Sequence, residues 1–206
     1  MRFSSCLRAL ALLGFLGLAP TACMETEREV VFTPWNGVAG GMAVGCGSAE
    51  PPPGWLSGRV YPVPFETRRL PAFDALRPVG TICMDRLDVG WRKGYPGFPG
   101  LRSRFEWFGI DFQGTFAVEQ SGLYSFRLSS DDGSRLYVDG AVVLDNDGYH
   151  DVRTVEGAVP LAAGLHRIGV PYWQGPGPLA LILEVAGPGE GYHVFRMGQP
   201  LGGVAP

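Results

Sequence analysis

The sequence predicts an all-β fold, a two-sheet antiparallel β-sandwich, on three observations. Gly 31 and Pro 18 together approach a quarter of the 206 residues, a content that suits short strands joined by tight turns better than helices. Several segments alternate apolar and polar residues with period two, the pattern of strands with one buried face. Turn signals separate these segments at roughly 8–12-residue spacing, as in a sandwich. Hydrophobic residues make up 46% of the chain and charged ones 18%, which is enough apolar material for a core. The net charge of -3, with no basic run, points away from nucleic acid. No apolar stretch reaches the roughly 18 residues a membrane-spanning helix needs.

Residues 1–22 have the layout of a targeting signal. Arg2 and Arg8 supply positive charge, Ala9 to Ala19 is apolar, and the small residues Thr21 and Ala22 lead into Cys23. This resembles a bacterial lipoprotein signal, cut before a cysteine that receives a diacylglycerol. The resemblance implies export, a membrane anchor on Cys23, and display at the cell envelope. Pro20 stands where such signals usually carry Leu, so plain secretion with cleavage near Ala22 is the alternative. Residues 23–54 read as a tether, because they end in Glu50-Pro51-Pro52-Pro53-Gly54, an extended and solvated run. Cys46 and Cys83 are the two cysteines left once Cys6 and Cys23 are assigned to the signal and its lipid. In an exported chain they are expected to close a disulfide, the alternative being two buried thiols. No Cys-x-x-Cys spacing suggests zinc.

Residues 55–198 are expected to form the sandwich, with 199–206 as a tail. Leu123 to Leu128 places Tyr124, Phe126 and Leu128 on one face, and Thr115 to Val118 is expected as its hairpin partner across Gln120-Ser121-Gly122. Asp139-Gly140 between Leu136-Tyr137-Val138 and Ala141-Val142-Val143-Leu144 is a two-residue hairpin signal. Leu165 to Trp173 alternates, with His166, Ile168, Val170 and Tyr172 sharing a face. Pro171 would put that strand at an edge, or turn its missing N–H away from the ladder. Leu179, Leu181, Leu183 and Val185 define a last strand.

The run Ser129-Ser130-Asp131-Asp132-Gly133-Ser134-Arg135-Leu136-Tyr137-Val138-Asp139-Gly140 resembles the core signature of the protective-antigen-type (PA14) domain family. Asp145-Asn146-Asp147-Gly148-Tyr149-His150 is similar to that family's next turn. Ala163-Gly164-Leu165-His166 resembles its returning hairpin, and Tyr172-Trp173-Gln174-Gly175-Pro176 its late loop. Pro78-Val79-Gly80-Thr81 and Phe105-Glu106-Trp107-Phe108 resemble bacterial members, so the likeness spans about two-thirds of the chain. It implies a β-sandwich and, as in flocculin-like members, calcium-dependent binding of glycans. Other members serve structural or processing roles, so a structural or protein-interaction domain is the alternative.

Asp131 and Asp132 are the expected calcium ligands, since a hard cation takes oxygen donors and two carboxylates balance its charge. Adjacent residues of an extended chain point apart, so the backbone must bend to bring both to one ion. The resemblance implies a cis Asp131–Asp132 peptide that does so, and a third ligand in the late loop, where Gln174 replaces the family's Asn. The alternative is an Asp-Asp-Gly turn whose carboxylates accept from backbone N–H groups. Asp145-Asn146-Asp147-Gly148 is not an EF-hand: with Gly148 sixth, the first and twelfth positions are Val143 and Thr154. It is expected to be a tight turn with His150 hydrogen-bonded nearby. Trp173 and Tyr149 are the expected stacking rings for a sugar, ahead of Trp91 and Tyr95. No nucleophile elbow, zinc helix or phosphate loop is present. Nothing in the spacing of Glu106 and Glu119 recommends them as a glycosidase pair, so no enzyme is expected.

Overall fold

The computed structural model describes residues 44–46, 53–94, 97–102, 104 and 106–203. Cys23, the signal, most of the tether, and Tyr95 lie outside the described residues. The strands, in chain order, are β1 (Val44–Gly45), β2 (Leu56–Pro62), β3 (Gly80–Met84), β4 (Asp88–Lys93), β5 (Phe108–Val118) and β6 (Gly122–Asp131). They continue as β7 (Ser134–Val138), β8 (Ala141–Asn146), β9 (Arg153–Leu161), β10 (Gly164–Gln174), β11 (Pro178–Ala186) and β12 (His193–Val194).

Two antiparallel sheets face each other. The larger runs β1-β3-β2-β5-β10-β7-β8, and the smaller runs β12-β11-β6-β9 with β4 also on β11. Period-two alternation explains why they pack. Tyr124, Phe126 and Leu128 of β6 and Leu179, Leu181, Leu183 and Val185 of β11 are buried. Opposite them are Phe108, Ile110, Phe112 and Phe116 of β5 and Ile168, Val170 and Tyr172 of β10, also buried. Phe98, from the loop after β4, fills the gap between Phe108, Phe112 and Tyr172, with ring centroids 5.6–6.2 Å apart. Asp139 and Gly140 take φ of 51° and 84°, the doubly positive turn that a two-residue hairpin between β7 and β8 requires.

The pairing expected of Thr115–Val118 is wrong. That segment belongs to β5, which pairs with β2 and β10, whereas Leu123–Leu128 lies in β6 between β11 and β9. The chain changes sheets between them, so the apolar faces of the two strands meet across the core instead of lying side by side. The Ala163–His166 connection likewise is no hairpin: it carries the chain from β9 in one sheet to β10 in the other. Pro171 is not at an edge either. It sits in a central strand opposite Asp111 of β5, and β10 bridges β7 at Gly169 and Tyr172 but not at Pro171, so the interruption falls on the β7 side.

Both ends of the domain reach further than the sequence suggested. Val44–Gly45 of the tether pairs with β3, and Cys46 is joined to Cys83 by a disulfide. Leu201 of the tail is buried and bridges Val118 in parallel, with backbone bonds to Ala117 and Glu119.

Candidate calcium and carbohydrate site

One end of the sandwich gathers the residues singled out in the sequence. β6 stops at Asp131, β7 starts at Ser134, β8 stops at Asn146, β9 starts at Arg153, β10 stops at Gln174 and β11 starts at Pro178. Register fixes the juxtaposition: Asp131 lies opposite Ala180 of β11, and Tyr172 opposite Ser134 of β7. A buried polar cluster ties these strand ends together. Ser134 Oγ donates to Ser130 Oγ at 2.7 Å, and Asn146 Nδ2 donates to Ser130 Oγ and the Arg153 carbonyl, both at 2.9 Å. Arg153 Nε returns a bond to Asn146 Oδ1 at 2.6 Å. A polar network this complete holds a loop set rigidly.

The Asp131–Asp132 peptide is cis. Gly133 follows it because nothing larger fits: a Cβ there would stand 2.4 Å from Trp173 Nε1 and 2.8 Å from the Gly148 nitrogen. Asp132 is nearly buried and accepts two backbone bonds, from His150 N–H at 3.1 Å and Gly175 N–H at 2.8 Å. Asp131 is equally buried, yet its Oδ2 has no hydrogen-bond partner among the described residues. A buried carboxylate oxygen with nothing to accept from is costly. Burial first, then repulsion from Asp132 and Asp151, pushes the Asp131 pKa up to about 7, with His150 acting against them. Burial also raises Asp132, opposed by the bonds from Gly175 and His150. Both carboxyls thus sit where ionisation is unfavourable without a cation.

Gln174 comes to the same place but is already engaged. Its Nε2 donates to the Pro178 carbonyl at 2.7 Å and the Gly175 carbonyl at 3.1 Å, closing the late loop on itself. The buried Tyr172 hydroxyl lies within reach of two acceptors, Gln174 Oε1 and, at 2.7 Å, the Asp131 carbonyl. Burial, aided by the two Asp carboxylates, holds the Tyr172 pKa well above the usual phenol value, so it stays a donor. Gln174 is therefore first a positioning residue, with one oxygen lone pair left to offer an ion.

Trp173 was expected as a sugar platform, and its burial corrects that. It is 0% exposed, packed against Gly133, and a ring with no open face offers nothing to a ligand. Tyr149 lies over it with ring centroids 6.4 Å apart and planes 29° apart, and is 47% exposed. Tyr149 Cε2 and Asp132 Oδ2 are both near Gly175, at 3.3 Å and 3.2 Å from where its Cβ would be. The half-exposed ring and the Asp132 carboxylate thus meet at one backbone position, Gly175. Trp91 is exposed on β4, whose end, Lys93, pairs with Pro178 of the late loop.

The tight turn expected at Asp145–Gly148 begins inside β8: Asp145 and Asn146 end the strand, the Asp147 N–H donates to Asp145 Oδ1 at 3.0 Å, and bends carry the chain on to β9. Asp147 Oδ1 accepts the Leu70 N–H at 2.7 Å, and its Oδ2 lies 3.3 Å from Arg135 and 4.0 Å from Arg69. The His150 ring nitrogens lie 2.8 Å and 3.0 Å from the Asp151 and Asn146 carbonyls. Sequence reasoning missed the segment this turn recruits, residues 64–73 between β2 and β3. It brings Arg68 over the Tyr149 ring at 4.6 Å. No local pattern announces a contact 81 positions away. A separate half-open cavity of about 610 Å³ lies under Leu70–Phe73 on the outer face of the larger sheet, floored by Asp111, Tyr137 and Pro171. It contains neither member of the Asp pair. Glu106 and Glu119 flank opposite ends of the 11-residue β5, about 35 Å of strand apart, far beyond the reach of a paired hydrolytic mechanism.

The PA14 domain model matches residues 90–195, more than half of the chain. The chain belongs to the PA14 domain family. Among solved structures it is similar to the PA14 domain of the MpAFP antifreeze protein, at 20% identity and a TM-score of 0.58 over 73% of this chain and 92% of that one. It is similar also to the PA14 sugar-binding domain from an RTX adhesin, at 23% identity and a TM-score of 0.55 over 70% and 96%. An anti-sigma factor domain-containing protein from Clostridium clariflavum aligns at 21% identity and a TM-score of 0.54, over 73% of this chain and 49% of that one. At these identities the likeness establishes the fold. No curated protein sequence matches the chain.

Proposed function

We propose that this PA14 domain is a calcium-dependent carbohydrate-binding module, exported and held at the cell envelope by a lipid on Cys23. The observation that carries the reading is the orphaned, buried Oδ2 of Asp131 beside the Asp132 carboxylate. Two acceptor-only groups on a rigid floor fit a hard cation, which needs oxygen ligands and whose charge two carboxylates balance. Asp131 and Asp132 would hold the ion, and Gln174 Oε1 and the carbonyls of residues 175–177 stand nearby in the chain as further oxygens. When bound, calcium supplies coordination positions for sugar hydroxyls. Tyr149, expected as a stacking ring, has one face on Trp173 and Arg68 over its ring, so a sugar would meet its exposed edge and the guanidinium above it. A solved relative described as sugar-binding has the same fold, which supports the reading without fixing the sugar.

A structural or protein-interaction role is the second reading. It is favoured by the two N–H groups that Asp132 already satisfies and by the internal engagement of Gln174. Glycan retention separates the two. The full domain should retain glycans on an array with millimolar calcium and lose them in EDTA, and Asp132→Ala should retain none. No retention at all favours the structural reading, and retention unaffected by EDTA overturns the calcium dependence while keeping the sugar site.

A further inference from the structure

Of the four arginines near Tyr149, Arg68 is the one with neither an ion pair nor a hydrogen bond among the described residues. Arg69 and Arg135 face the Asp147 carboxylate, at 4.0 Å and 3.3 Å, and Arg135 also pairs with Asp145 at 3.0 Å. Arg153 is held by Asn146 Oδ1 and the Asp147 carbonyl. The Asp131–Asp132 pair is balanced by a divalent ion on the reading above, on which this inference rests. Arg68 is exposed and has no ion pair among the described residues. Its guanidinium carbon lies 4.6 Å from the centroid of the Tyr149 ring, the ring that in turn lies over buried Trp173. A cation over an aromatic face is held in place while most of its N–H donors stay free. The exposed carboxylates of this rim are Asp145, Asp151 and Glu106, and none pairs with Arg68: Asp145 pairs with Arg135, and Glu106 accepts from the Gly177 N–H at 3.4 Å.

We infer that the site selects anionic saccharides, sugars carrying a carboxylate or sulfate, with Arg68 as the residue that reads the charge. The guanidinium offers a planar fork of donors, which matches a carboxylate or sulfate in two parallel bonds better than it matches a hydroxyl. The fork is pre-placed. Asp147 anchors Leu70, two residues on, through its 2.7 Å bond to the backbone, and Tyr149 holds the guanidinium itself. A neutral sugar would meet a cation where a bare ring is wanted. An acidic one would meet calcium with its hydroxyls and Arg68 with its charged group.

The test uses matched glycan pairs that differ only in charge: oligouronates against their methyl esters, and sulfated oligosaccharides against their desulfated forms. Each is titrated against the calcium-loaded full domain, wild type and Arg68→Gln, with melting curves to show that this exposed substitution leaves the fold intact. The wild type should bind the charged member of at least one pair about fivefold more tightly or better, the scale of a partly exposed charge-assisted contact. The preference should shrink as salt rises, and Arg68→Gln should bring the two members to parity. Which pair responds distinguishes carboxylate from sulfate. Equal, calcium-dependent binding of both members overturns this inference and leaves the sugar site standing, as does a charge preference that survives in Arg68→Gln. Failure to bind either member of any pair overturns the sugar site and this inference with it.

Discussion

Asp131 is the residue on which the site's energetics turn. Its carboxyl has an ordinary pKa of 3.8 and is pushed up to about 7 in the fold, chiefly by burial. Between these values the unfolded chain ionises and the folded one resists, so the stabilising contribution is full below about pH 4 and is lost as pH rises towards 7. A cation reverses the preference by stabilising the ionised form. Calcium should therefore raise the melting temperature more at pH 8 than at pH 5, where protons compete for the same oxygens, and Asp131→Asn should remove the difference. His166, raised first by its bond to the Ala162 carbonyl, contributes a slope of the same sign in this range, so the comparison with the variant is what isolates Asp131. Gly133 is the second critical residue. Gly133→Ala would drive a methyl into Trp173 and the Gly148 backbone, and should cost about 1–3 kcal/mol by the ordinary penalty of overpacking. Denaturant titration checks this, and an unchanged midpoint contradicts it.

At the scale of elements, the site is held by chain segments that lie far apart in sequence. The Asp145–His150 turn clamps the 64–73 segment through Asp147 and Leu70, and supplies Tyr149 and the His150 N–H to the Asp pair. The Cys46–Cys83 bond does comparable work at the other margin, pinning the residues before β2 to β3 across a separation of 37 residues. Closing a loop of that length is worth about 2–4 kcal/mol in the chain-entropy account. Replacing both cysteines with serine should lower stability by that order while leaving calcium-dependent stabilisation intact, because the bond lies outside the site. Local chemistry made some elements legible in the sequence. Asp139-Gly140 could hardly be anything but a hairpin turn, and the alternation of Leu179 to Val185 named its own buried face. Sheet membership was not legible: Thr115–Val118 and Leu123–Leu128 alternate equally well whether they pair edge to edge or face each other across a core. Pro171 left an edge and an interrupted ladder both open for a similar reason, and the second holds, since β10 has no bridge to β7 at that residue.

For the molecule as a whole, the sandwich brings six strand ends to one rim, and the family motif is the part of the sequence that lines that rim. The Asp131–Asp132 pair stood out in the sequence through its resemblance to the family motif, and the structure places both carboxyls, buried, at that rim. The role of Trp173 was not, because a ring at a strand end reads the same whether it faces solvent or lies under Tyr149. Arg68 was invisible for a deeper reason: its position over Tyr149 exists only once β2, β3 and the β8–β9 turn are assembled. The domain's limits were blurred too, with Val44–Gly45 and Leu201 completing sheets that the composition of their neighbours assigned to a tether and a tail. The proposed ion at Asp131 and Asp132 is tested most directly by calorimetric titration of calcium into wild type and Asp132→Ala. The wild type should bind one calcium per chain and gain about 2.7 kcal/mol of stability at 100 times the dissociation constant, while Asp132→Ala should show no binding at the same concentrations. Equal calcium affinity in the two proteins would contradict the site.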